Sequence, residues 1–147
     1  IAAVEAECFP AAEAATREEF QARIQSYGNH FWLMFDGEKL IAFVDGFVTD
    51  EADLTDEMYA KADLHNEDGA WQMIFGVNTI PAYRKHGYAG ELLKCAIEDA
   101  RKHGRKGLVL TCKDHLVHYY AKFGFENEGI SESEHGGVRW NQMRLKF

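Results

Sequence analysis

The chain has 147 residues, 46% of them hydrophobic and 13% aromatic, ample material for one domain around a single core. A net charge of -8 argues against a nucleic-acid partner, because a phosphate backbone is held by a surplus of Lys and Arg. No run reaches the ~20 apolar residues that span a bilayer and no basic leader with a small-residue cleavage site opens the chain, so a soluble, cytoplasmic protein with no membrane partner is expected.

In chain order, Ile1 to Glu7 reads as a helix and "CFPAAEAA" as a loop. Thr16 followed by Glu19 forms a capping box, opening a helix to about Tyr27 with Phe20 and Ile24 on one face. "HFWLMF" and "LIAFVDGFV" flank Asp36-Gly37, a hairpin signal. An acidic stretch follows, with room for a short helix from Thr55. "AWQMIFGV" alternates too little for a half-exposed strand and is assigned to the sheet centre. A helix from about Gly87 to Lys102 is closed by His103-Gly104, and "GLVLTC" is another buried strand. Asp114 can cap a helix that Gly124 stops, and two last strands lie around Gly136-Gly137. The order αα-ββ-β-α-β-α-ββ describes a single mixed α/β domain on a mostly antiparallel sheet, with a strand expected before Ile1.

Cys8, Cys95 and Cys112 are odd in number and lack any C-x-x-C or Cys/His spacing, so reduced thiols and no metal are expected. Charge is uneven. Asp50 to Asp68 holds eight acids against Lys61, whereas Arg84 to Lys106 holds seven bases against Glu91, Glu98 and Asp99. An anionic cofactor at one place and a cationic substrate at another would account for this, as would solvated loops and helix faces.

The stretch "IPAYRKHGYAG" (Ile80 to Gly90) places two cations beside a glycine-rich turn that opens a helix. It lacks the Ser or Thr after Lys85 that a mononucleotide loop needs, and its residue count does not fit a dinucleotide fingerprint. It fits Arg/Gln-x-x-Gly-x-Gly/Ala, through Arg84, Gly87 and Ala89, with small Gly90 following. Converging amides, small side chains and the helix dipole would there cradle a pyrophosphate.

About thirty residues on, "VHYYAKFGF" completes a strand, turn, helix, strand and helix that resembles the GNAT superfamily of N-acetyltransferases. "ECFPAAEAAT", "GEKLIAFVDGF", "DEADLT" and "LTCKDHLVHYYAKFGF" further resemble its arylalkylamine (serotonin) N-acetyltransferase branch. The resemblance implies acetyl-CoA as cosubstrate and direct attack by a small primary amine, arylalkylamine or polyamine-like, with no covalent enzyme intermediate. It assigns the pantetheine arm to the main chain of Val77 to Thr79. The diphosphate falls to Arg84, Lys85, His86, Gly87, Tyr88, Ala89 and Gly90. Val77 would donate an N–H to the thioester oxygen, and Tyr120 would protonate the leaving thiolate, a role its ordinary pKa of ~10 suits. Tyr119 is read as packing.

The branch's two catalytic histidines correspond to Met73 and Phe75, neither of which can accept a proton. The base is therefore not carried over. Glu7, beside the acceptor loop, is the candidate; His115 and His118 read better as capping or surface residues. Phe9 and Pro10, with Met73 and Phe75, are assigned to an apolar acceptor wall or to ordinary packing. A coenzyme-binding module without turnover and a protein N-acetyltransferase stay open as alternatives, and a homodimer is left open.

Overall fold

Residues 1–131 and 139–147 are described in the computed structural model; the Gly136-Gly137 turn expected between the last strands lies outside them. Helix α1 (Ala2–Cys8) and helix α2 (Arg17–Tyr27) come first. The capping box that opens α2 is complete: Thr16 Oγ1 accepts from Glu19 N–H at 3.2 Å and Glu19 Oε1 from Thr16 N–H at 3.0 Å. The buried stripe of α2 is Phe20, Arg23 and Tyr27, while Ile24, expected to share a face with Phe20, is 46% exposed. An i, i+3, i+7 stripe takes the arginine instead of the isoleucine, because Arg23 has a buried partner in Asp45 at 3.1 Å.

Strands β1 (Phe31–Asp36) and β2 (Lys39–Asp45) form the expected hairpin, turned at Gly37 with φ +62°. Both long apolar runs then break where single strands were expected. After β2, Gly46 passes so close to the neighbouring chain that an added β-carbon would lie 1.8 Å from the Met73 carbonyl oxygen; only glycine fits. β3 (Val48–Thr49) thereby pairs with β4 (Trp71–Ile74) in a different sheet. Opposite this crossing, Phe75 N–H donates to Asp45 O at 2.8 Å while Gly76 is the register partner of the same Asp45. Two residues face one, which is a β-bulge, and it diverts the chain from β4 into β5 (Gly76–Thr79).

The result is two sheets, ordered β1-β2-β5 and β3-β4-β6-β8-β7, with β6 (Gly107–Cys112), β7 (Glu126–Ile130) and β8 (Asn141–Lys146). Among the described residues every pairing is antiparallel except β4 with β6, so the mixed, mostly antiparallel α/β class expected from the sequence is the one found. Helix α4 (Tyr88–Lys102) buries Leu92, Leu93, Ala96, Ile97 and Ala100 in the main core with Phe20, Phe43, Val44, Leu108 and Met143. A second core gathers Tyr27, Phe47, Met58, Met73 and Val109 beside the short helix α3 (Asp56–Ala60). Asp114 does not cap helix α5 (Val117–Ala121); it starts a 3-10 turn, and its carboxylate accepts from Asn141 Nδ2 at 2.6 Å and Arg139 Nη2 at 2.9 Å.

The acidic stretch serves the fold. Asp50 accepts the Ala70 amide at 3.1 Å, Asp53 pairs with Arg144 at 2.9 Å, and Glu57 with Lys61 at 2.8 Å. Glu67 accepts from Asn29, His30, His65 and Arg105 at 2.9 to 3.3 Å. Burial alone would raise the Glu67 carboxyl, but the hydrogen bonds from Asn29 and His30 outweigh it and hold the pKa at about 2. His30, His65 and Glu67 have the proximity of metal ligands. Val48 N–H, however, donates to His65 Nδ1 at 3.0 Å, which puts the neutral ring's proton on Nε2, where it faces Glu67 rather than offering a lone pair. No helix among the described residues is long and apolar enough to cross a membrane.

Candidate active site

Because β4 stays paired with β6 and β5 turns away at the bulge, the two sheets part beyond Phe75 and leave a cleft of about 480 Å³ between β5 and the Leu110–Lys113 end of β6. One wall is main chain. Ile80 N–H bonds to Ile41 O at 2.9 Å, and the register pairs Thr79 with Ala42 and Val77 with Val44. Alternation along an antiparallel pair then turns the amides and carbonyls of Val77 and Thr79 away from β2, toward the cleft. The Thr79 carbonyl accepts from Cys8 Sγ–H at 3.2 Å and from Arg84 Nε at 3.1 Å.

That second bond ties the glycine-rich turn to the strand. Pro81 to Tyr83 makes a 3-10 turn, Lys85 takes φ +70° and Gly87 takes φ +76° as N-cap of α4. The first bond inside the helix runs from Glu91 N–H to Gly87 O at 3.0 Å, so the amides of Tyr88, Ala89 and Gly90 point out of the helix end. Gly87 has open space around it, as a residue at a ligand-facing turn requires. Gly90 is also tightly packed. A β-carbon there would meet Phe123 Cζ at 3.1 Å and the Tyr119 hydroxyl at 3.2 Å, so its smallness serves packing against Tyr119 of α5 and Phe123 just beyond it.

Tyr120 reaches the cleft from α5 and is 7% exposed; Tyr119 lines it as well as packing on Phe123. Burial pushes the Tyr120 phenol far above its ordinary value, so it is a hydrogen-bond donor at any working pH. Burial also raises the thiols of Cys8 and Cys112, the latter to about 11, so both are protonated at neutral pH.

The assigned acceptor wall is only partly assembled. Phe9 and Phe75 line the cleft, whereas Pro10 is exposed outside it and Met73 is wholly buried in the second core. Met73 shares a face with Phe75, two residues on, but lies deeper, enclosed with Tyr27, Phe47 and Val109 in the second core, against which Phe75 packs from the cleft side. Glu7 is exposed and does not line the cleft; Glu5, half a helical turn earlier, does. His115 sits at the rim and His118 is exposed beyond it.

Around Glu5 lies a polar cluster that sequence reading missed. Glu5 Oε2 accepts the Ala15 amide at 2.8 Å, and Asn78 Nδ2 approaches Oε1 at 3.4 Å. Arg23 donates to Asp45 and to the Tyr59 carbonyl, both at 3.1 Å, and its guanidinium stacks over Phe20 and Phe75 at 5.0 and 5.2 Å. Burial, then the charge of Asp45, lifts the Glu5 carboxyl to about 7; burial lifts Asp45 to about 6 against the pull of Arg23. The signal that could have found them is a lone acid inside the apolar run "LIAFVDGFV" and an Arg inside the buried stripe of α2.

An edge strand offering its main chain to a cleft, beside a helix whose free amides follow a glycine turn, is an α/β arrangement suited to an extended ligand with an anionic end. Residues 1–125 match the Acetyltransferase (GNAT) family, and the chain belongs to that family, whose members use acyl-CoA. Solved structures agree in fold. A GNAT-like decarboxylase, GphF, in complex with isobutyryl-CoA superposes with a TM-score of 0.82 at 20% identity, over 99% of this chain and 92% of that one. The loading GNATL domain of CurA from Lyngbya majuscula gives 0.86 at 14%, over 98% and 89%. The ribosomal-protein-S18-alanine N-acetyltransferase of Escherichia coli gives 0.67 at 16%, over 99% and 84%. At these identities the likeness is one of fold.

Proposed function

We propose that the protein transfers an acetyl group from acetyl-CoA directly to a small primary amine. The observation that carries this reading is the convergence on one cleft of the outward-turned Val77 main chain, Arg84 and Ala89 at the α4 turn, and the buried Tyr120 side chain. The main chain of Val77 and Thr79 pairs with the pantetheine arm. Arg84, fixed through its Nε, offers its guanidinium to the diphosphate, beside Lys85, His86 and the Gly87, Tyr88, Ala89 and Gly90 backbone. Val77 N–H stabilises the oxyanion that forms when nitrogen attacks the thioester, a donor of a kind worth roughly 3 kcal/mol. Tyr120, with so high a pKa, acts by hydrogen-bonding the departing sulfur and passing it a proton as charge develops.

Phe9, Phe75, Tyr59 and Trp140 favour an arylalkylamine over a polyamine as acceptor, since the acidic stretch contributes only Tyr59 to the cleft. The test is release of free thiol from acetyl-CoA across an amine panel, with the amide product weighed, alongside calorimetric titration of coenzyme A. Coenzyme binding with thiol release supports the reading. Binding without release from any acceptor would make the protein a coenzyme-binding module, and no binding at all would remove the reading. As one structural neighbour is a decarboxylase, the panel includes a carboxylated acyl-CoA; loss of CO2 without amide formation would replace transfer to an amine.

A further inference from the structure

We infer that Glu5 takes the proton from the acceptor's ammonium group, with Asp45, Asn78 and Arg23 forming the buried setting that leaves its Oε1 available; this rests on the transfer reading above. The other charged side chains on the cleft wall near the bulge are already engaged. Arg23 is spent on Asp45 and the Tyr59 carbonyl, Glu19 on the Thr16 amide, and Lys113 on Glu13 at 2.8 Å. Glu5 makes no ion pair among the described residues. Its Oε2 is fixed by Ala15, and its Oε1 has only the long 3.4 Å contact from Asn78.

Position supports the role as much as availability does. The point a β-carbon would occupy on Gly76 lies 2.8 Å from Asn78 Nδ2, 2.9 Å from Asp45 Oδ1 and 3.4 Å from Glu5 Oε1. The missing side chain of Gly76 therefore lets these three groups close over the backbone immediately before Val77, whose amide faces the cleft. A base there stands beside the proposed point of attack. Glu7 on the same helix points to solvent instead.

The protons balance. An ammonium gives one proton to Glu5 Oε1, the freed lone pair attacks the thioester carbon, the C–N bond forms and the C–S bond breaks. The second proton that nitrogen loses replaces the one Tyr120 has passed to the thiolate, and Glu5 returns its own to water. Burial first and Asp45 second set the Glu5 carboxyl near 7, where it can both accept and release a proton at working pH. The ionisable groups facing it are Asp45 from β2, Arg23 from α2 and, on its own helix, Cys8, whose thiol stays protonated.

The experiment compares wild type, Glu5→Gln and Glu5→Asp with two acceptors: an alkylamine, protonated at neutral pH, and an alkoxyamine, already neutral there. In Glu5→Gln, kcat/KM for the alkylamine should fall about 100-fold, the magnitude general bases typically contribute, and its acid limb near pH 7 should vanish. The alkoxyamine should stay within about threefold of wild type, coenzyme affinity should be unchanged, and Glu5→Asp should restore part of the rate with the limb. Equal losses for both acceptors, or an acid limb that survives in Glu5→Gln, would overturn the assignment while leaving transfer intact. Wild type inert toward every amine would remove both. Should Glu5→Gln not fold, the wild type decides: a limb near pH 7 for the alkylamine beyond its own ionisation supports the role, and its lack refutes it.

Discussion

Glu5→Gln also makes a thermodynamic test that needs no turnover. The carboxyl is 6% exposed and its pKa in the folded protein is about 7, against an ordinary 4.5. The folded state thus holds the proton more tightly than the unfolded chain. The contribution of Glu5 to stability is therefore full below pH 4.5, is lost as pH rises from 4.5 to 7, and is gone above that. At ~1.4 kcal/mol for each tenfold change in proton affinity, the ionised side chain costs the fold about 3 kcal/mol. Glutamine keeps the shape, can still accept the Ala15 amide, and finds an acceptor in Asn78 Oδ1 once the Asn78 amide turns over, Nδ2 being the atom that now faces Glu5 and Oδ1 having no hydrogen-bond partner among the described residues. Urea denaturation of both proteins at pH 4.5 and pH 8 should show near-equal stability at the lower pH. At the higher pH the variant should lead by about 3 kcal/mol, or roughly 5–10 °C in Tm for a chain of this size. A variant-minus-wild-type difference that is the same at both pH values would show that Glu5 carries no burial cost, and the reasoning that makes it a base near neutrality would go with it.

Two further substitutions probe the frame and the acid. Gly46→Ala should cost about 3 kcal/mol in chemical denaturation, because its β-carbon would lie 1.8 Å from a backbone oxygen that cannot swing aside; a loss under 1 kcal/mol would mean the strand crossing is loosely held. Tyr120→Phe should lower kcat about 100-fold with coenzyme Kd unchanged, measured by stopped assay and calorimetry, and equal activity would mean the thiolate leaves unaided.

The half of the site read from sequence is the half built from contiguous backbone. A positive-φ glycine at 87, two cations and a helix start lie within a few residues, and their chemistry follows from local geometry. The acceptor half was not legible. Glu5, Arg23, Asp45 and Asn78 come from α1, α2, β2 and β5, up to 73 residues apart, and meet only because Gly46 and Phe75 divert two strands at the same level. Naming Glu7 from its place beside the acceptor loop left helical phase out of account: Glu7 lies on the outer face of α1, and Glu5, two residues earlier, lies on the buried one. Between a cationic substrate and a solvated face for the acidic stretch the sequence could not choose, since net charge over a window does not show that Asp53, Glu57 and Glu67 each already hold a partner.

The cluster makes sense only if something other than stability selected it. Two carboxyls with raised pKa values, a buried guanidinium, and Arg23 Nε, Asp45 Oδ1 and Asn78 Oδ1 without hydrogen-bond partners among the described residues all adjoin one bulge. Apolar side chains of similar volume would cost less there, as they do in place of many buried ion pairs. Asp45 holds Arg23 in place, and Arg23 in turn limits how far burial can raise Asp45, so the pair leaves a negative charge beside Glu5 without releasing a cation to quench it. Arg23 already pulls the Glu5 pKa down, and removing the opposing charge by Asp45→Asn would draw it further down, away from neutrality. The expense is therefore concentrated where a proton has to be taken up and given back, which is where perturbed acids gather in catalytic sites.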